Sequence, residues 1–95
     1  MKLVDVLPDL VLSLESPLAH LGRGDLIGQL RQAVILDWHY DDHANTTTVR
    51  FSAEEPGELL SLYDEAGVNL ETDSEGRLCR MEVLEGKAIA EQLAG

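Results

Sequence analysis

The chain is predicted to be α+β: one or two N-terminal helices packed on a four- to five-stranded antiparallel β-meander, with a short C-terminal helix. Three observations predict it. Before position 33 the apolar residues recur at spacings of three and four, which is a helical period. From position 34 they alternate and are enriched in β-branched and aromatic types. The length of 95 residues supplies one modest core, so residues 1–33 and 34–95 are read as two parts of a single domain.

Leu7, Leu10, Val11, Leu14, Leu18 and Leu21 draw one stripe down a first helix. Pro8 suits an early helical position and Asp9 the positive end of the dipole, while Gly22 and Gly24 supply the stop. Pro17 removes a helical hydrogen bond at a cost of ~3 kcal/mol, which leaves two alternatives over residues 8–21: one continuous helix, or one kinked or restarted at Ser16-Pro17. Asp25 is placed to cap a second helix running to Gln32, with Leu26, Ile27 and Leu30 facing inward.

Residues 34–40, VILDWHY, and 46–52, TTTVRFS, read as two strands around the polar turn DDHAN. Alternation puts Leu36, Trp38 and Tyr40 on one face and Asp37 and His39 on the other. On the partner strand Val49 and Phe51 point inward, and Thr48 and Arg50 outward. ELLSLY, at 58–63, is a third strand. GVNLETD and RLCRMEVL then flank DSEG, whose Asp73 and Gly76 are type I turn preferences at the first and fourth positions. Asn69, Glu71, Arg80 and Glu82 are expected on the polar face of this hairpin. KAIAEQLA closes the chain as a helix, with Ile89 and Leu93 four apart.

Charge narrows the function classes. Eighteen acidic residues against seven basic ones give −11, and no stripe of Lys or Arg is present. Such a chain repels phosphate backbones and acidic membrane surfaces, so neither nucleic acid nor membrane is an expected partner. Residues 1–36 hold four acids and three bases, and residues 37–95 hold fourteen and four, so the sheet half carries −10. The lone Cys79 excludes an internal disulfide and fits a reducing, cytoplasmic setting. Asp5, Pro8 and Asp9 interrupt any signal-peptide core, and no apolar run approaches the ~18 residues of a membrane span.

Little in the sequence looks like reaction chemistry. His39, Asp41, Asp42 and His43 could hold a metal, with His20 as a distant further ligand. Histidines four apart converge on a helix, however, and here they fall on a strand and a turn. Residues 71–82, ETDSEGRLCRME, match a twelve-residue calcium loop at Glu71, Asp73, Glu75, Gly76, Leu78 and Glu82. Two glutamates stand where a shorter side chain is wanted, and the preceding segment is strand-like. Cys79 alternates with Met81 and Val83, as a buried thiol would. The acid pairs Glu54-Glu55 and Asp64-Glu65 read as solvated loops. No cofactor and no catalytic residue are expected.

YDDHANTTTVRFS and EAGVNLETDSEGRLCRMEVLEG resemble the small bacterial domain-of-unknown-function family 2283. The resemblance rests on Tyr40-Asp41, Gly67-Val68, Glu75-Gly76-Arg77-Leu78 and Met81-Glu82-Val83, and spans roughly residues 38 to 90. Thr46-Thr47-Thr48-Val49 departs from it, being more polar than the Ala-Leu-Tyr-Ile usual there. The resemblance implies a small antiparallel sheet without an established activity, and relatives thought to accompany small toxins as neutralising partners. The expected function is therefore a non-enzymatic interaction module, antitoxin- or chaperone-like, binding a basic protein. Asp41, Asp42, Glu71, Asp73 and Glu75 are its candidate contacts. A homodimer through a free sheet edge is a further expectation, and metal binding at His39–His43 or calcium at 71–82 is the alternative.

Overall fold

Alternation along its two most buried strands organises the molecule. The structure, a computed structural model, describes residues 1–62 and 67–95. Its elements are α1 (Leu3–Val6), α2 (Pro8–His20), α3 (Gly24–Gln32), β1 (Asp37–Asp41), β2 (Thr46–Arg50), β3 (Glu58–Leu62), β4 (Val68–Thr72), β5 (Leu78–Leu84) and α4 (Lys87–Ala94). The fold is α+β, with one five-stranded antiparallel sheet. Tyr63, at the end of the third predicted strand, and the Asp64-Glu65 pair lie outside the described residues.

Two cross-sheet rows form the inner face. Trp38, Val49, Met81, Leu70 and Leu60 are successive register partners, and so are Tyr40, Thr47, Val83, Val68 and Leu62. Leu3, Leu7, Val11, Leu14, Leu18, Leu26, Leu30 and Leu93 close over the same core from the helices. The helices form one layer and the sheet the other, so the second sheet face is left to polar side chains. Gln29 of α3 ties the layers: its Nε2 donates to the Gly76 carbonyl at 3.2 Å and its Oε1 accepts from the Leu78 N–H at 2.7 Å.

Several expectations need correction. The strand order is β1-β2-β5-β4-β3, not a simple succession. A three-stranded meander, β3 to β5, joins the β1–β2 hairpin through β2 and β5. The two most apolar strands thereby lie inside the sheet, where both edges are paired. Of the two alternatives for the first helix, the continuous one is found, running unbroken through Pro17. The bond lost at the exposed Ser13 carbonyl costs ~3 kcal/mol, and burial of Leu14 and Leu18 contributes about 2 kcal/mol each. Residues 3–6 add a short helix that the spacing did not announce. Leu36 is 54% exposed rather than inward. The chain before β1 is diverted there, because Val34 bridges to Lys2 and the Ile35 N–H donates to the Met1 carbonyl.

Thr47, the polar departure in β2, lies in the core with its hydroxyl donating to the Gly86 carbonyl at 2.7 Å. Gly86 leaves no room in return. A Cβ there would stand 2.6 Å from the Thr47 nitrogen and 2.8 Å from the Val83 oxygen, both backbone atoms. Gly86→Ala is expected to destabilise the protein by roughly 1–3 kcal/mol in urea melts, because the neighbouring backbone must shift. Gly28→Ala, in open space on α3, should instead stabilise by roughly 0.5–1 kcal/mol. Equal midpoints for the two variants would contradict this packing.

Candidate interaction surface

The five candidate acids are not one patch. Asp41 and Asp42 sit at the β1–β2 turn, while Asp73 and Glu75 sit at the β4–β5 turn. Because Thr46 pairs with Leu84 and Thr72 with Leu78, those turns occupy opposite ends of the sheet. Seven residues of β5 separate the two levels, a distance of roughly 23 Å. Glu71 lies between them on the polar face, opposite Arg80.

Each turn is built by its leading aspartate. Asp41 Oδ1 accepts the N–H groups of His43 and Ala44, and Asn45 turns back at φ 53 with its Oδ1 held by the Tyr40 hydroxyl at 2.8 Å. At the other end the Gly76 N–H donates to the Asp73 carbonyl at 3.0 Å, as a type I turn requires. Gly76 then takes φ 80, open to glycine at little cost. The Asp73 carboxylate, 9% exposed, accepts the N–H groups of Glu75 and Arg77 and faces the Arg77 guanidinium at 3.3 Å. The Arg77 backbone bond, with help from Glu75 and the Arg77 charge, holds its acid below the usual carboxylate value despite the opposing cost of burial.

Across the polar face Asp37, Arg50, Arg80 and Glu71 follow one another from β1 to β4. Directly opposed arginines repel, but each has an acid on its outer side. Asp37 grips Arg50 with both carboxylate oxygens, which depresses the acid and raises the base. Arg80 Nε and Glu71 Oε2 lie 3.4 Å apart, an ion pair without a well-directed hydrogen bond. Arg23 pairs with Glu58 at 2.8 Å and with Asp25, Arg31 with Glu15, and Arg77 with Glu75 at 2.7 Å. All five arginines are thus held by carboxylates of the same chain.

The candidate contacts divide accordingly. Glu71, Asp73 and Glu75 have cationic partners, and Asp41 anchors its own turn. Asp42 stays in solvent and, among the described residues, has only the neighbouring His43 imidazole, at 3.9 Å. Glu54, Glu55 and Glu85 are exposed and, among the described residues, have no cationic partner; sequence reasoning did not place them at a surface of interest. Their signal was only that Arg is scarcer than acid. Glu54 and Glu55 line a cleft of about 340 Å³ with Pro56, Gly57, Asp73 and Arg77.

The proposed metal ligands are dispersed. His39 projects from the polar face opposite Thr48, and the His43 side chain is 98% exposed at the turn. His20 ends α2 in the helical layer. Among the described residues, no three His, Cys, Asp or Glu side chains converge as a metal-binding group. Residues 71–82 form the end of β4, a tight turn and most of β5, in place of a helix-flanked loop. Among the described residues no helix is long and apolar enough to cross a membrane. No family model matches the chain, and no curated protein or solved structure is similar to it.

The Asp73 anchor predicts an acid limb. Its folded pKa lies below its unfolded value, so its contribution is present above about pH 4 and is lost as pH falls through the folded value. Asp73→Asn should therefore be less stable at pH 7 and lose less on acidification below pH 4, in urea melts at several pH values. A parallel offset at every pH would remove the charge from this account.

Cys79 is 1% exposed and its thiol donates to the Glu71 carbonyl at 3.3 Å. Burial first, then the acids Glu71 and Asp73, push its pKa up. A disulfide reagent at pH 8 should label native protein at least about 100-fold more slowly than urea-unfolded protein. Comparable rates would place the thiol at the surface.

Proposed function

We propose that this chain is a non-enzymatic acidic interaction module that binds a basic protein partner, in the manner of an antitoxin or a chaperone. The observation that carries the reading is the internal neutralisation of its arginines. With those guanidinium groups held by the chain's own acids, the surplus of negative charge rests on exposed side chains such as Asp42, Glu54, Glu55 and Glu85. Exposed, uncompensated carboxylates steer a cation-rich surface toward them over a Debye length of about 8 Å at physiological ionic strength. The resemblance of residues 38–90 to family 2283 supports the same reading by analogy.

Capture of partners from native lysate, followed by association kinetics over a salt series, tests this. The captured protein should be basic, and its association should slow as salt rises. Reversal of Asp42 and Glu85 to lysine at one end of the sheet, or of Glu54 and Glu55 at the other, should slow it about 3- to 10-fold without altering the melting temperature. If both double reversals leave the rate and its salt dependence untouched, the acidic surface is a solubility device and the reading fails.

A further inference from the structure

Resting on that reading, the geometry points to the outer edge of β3 as the place where the basic partner docks, as an added antiparallel strand of alternating basic and apolar residues. Hydrogen-bond parity exposes this edge. Phe51 donates to the Cys79 carbonyl and Leu84 to the Gly67 carbonyl. Successive residues of a strand bond to opposite neighbours, so odd-numbered β4 residues face β5 and even-numbered ones face β3. On β3 itself Glu58, Leu60 and Leu62 are turned to β4, which leaves the N–H and C=O groups of Leu59 and Ser61 pointing away from the sheet.

The opposite edge is covered only ahead of its strand, and among the described residues β1 itself has β2 as its one strand neighbour. Ahead of β1 the chain's own residues 1–3 run beside residues 33–35, through the Lys2–Val34 bridge and the bonds of Leu3 to Ala33 and of Ile35 to Met1. Among the described residues nothing plays that part for β3, whose one strand neighbour is β4. Leu59 is 58% exposed, unusual for a leucine on a sheet whose remaining polar face carries charges. It borders a small cleft with Pro56, Gly57, Glu58 and Glu71. Glu58 stands at the start of the strand, and Glu54 and Glu55 lie on the loop that leads into it.

Those features define the occupant. Main-chain bonds at Leu59 and Ser61 accept any extended segment, and side chains supply the selection. An apolar side chain would cover Leu59, and Lys or Arg at alternate positions would meet Glu54 and Glu55 of the preceding loop, Glu58 being already paired with Arg23. A second copy of this chain fits the backbone but brings another −11 to an already acidic edge, so charge disfavours it.

The test uses the full chain and a capped decapeptide of alternating lysine and valine. Backbone amide shifts should change along residues 58–62, and exchange at Leu59 and Ser61 should slow at least about tenfold on binding. N-methylation of alternate peptide residues keeps every charge but removes the strand bonds, and should weaken binding at least about tenfold. Ser61→Pro should do the same, since proline deletes an outward N–H there and spares the bonds to β4. Because that variant could unfold, its circular dichroism is checked and the methylated peptide stands as the independent arm. Equal binding of the methylated peptide, shifts confined to the β1–β2 turn, or absence of binding overturns the edge inference. The charge-reversal kinetics with the captured partner decide the broader reading separately. Concentration-dependent shifts at 58–62 without peptide would assign the edge to a second copy and overturn it as well.

Discussion

Val49, Val68, Leu70, Met81 and Val83 must leave water on the same side of one sheet. Each is worth about 2 kcal/mol when buried, and no other part of the sheet offers a comparable apolar surface. That single-sided demand brings the helices to one face and keeps them off the other. It also explains why β5 and β4 are interior: an edge position would wet the strands with most to bury. The polar ladder from Asp37 to Glu71 exists because, among the described residues, the remaining face has no cover and must satisfy itself.

Burial alone does not choose how the layers align, since apolar contact is not directional. The directional part is carried by a few polar joints. Gln29 offers both ends of its amide to the β4–β5 turn, one to Gly76 and one to Leu78. Without it the Leu78 N–H would stay buried and unpartnered, at about 1–3 kcal/mol. At the far end Thr47 and Gly86 perform the matching task between β2 and the start of α4. The sheet is therefore fastened to the helices near both of its ends, and the acids of each turn are displayed from a fixed frame.

What was legible in the sequence was local. The type I turn at Asp73–Gly76 follows from two side chains with known preferences, and the strands around it follow from alternation. The two longer N-terminal helices were legible from the leucine stripe, although Leu21, its last member, is 53% exposed. What escaped depends on distant partners. Leu36 alternates correctly with Trp38, yet the N-terminal residues draw the chain aside before the strand begins. Gln29 meets Leu78 across 49 positions, and Arg23 meets Glu58 across 35. The candidate acids were chosen by clustering in sequence, whereas their availability depends on which of them an arginine reaches first in space. Asp37–Arg50 and Arg80–Glu71 became readable only once the hairpin registers were fixed.

The irregularity between Glu71 and Thr72 has a wider meaning. Leu78 and Met81 both enter the core, although three residues apart they should lie on opposite sides of an uninterrupted strand. The extra residue shifts the phase of β5 partway along its length. One part of the strand keeps time with the turn that Gln29 holds, and the other with β2. Removing the extra residue, Cys79, would bring Leu78 and Met81 to a spacing of two and keep both on the core face, whereas a one-residue deletion beyond Met81 would turn the rest of β5 outward. Deletions in the loops change length; within β5 this is the point that can lose a residue without losing frame.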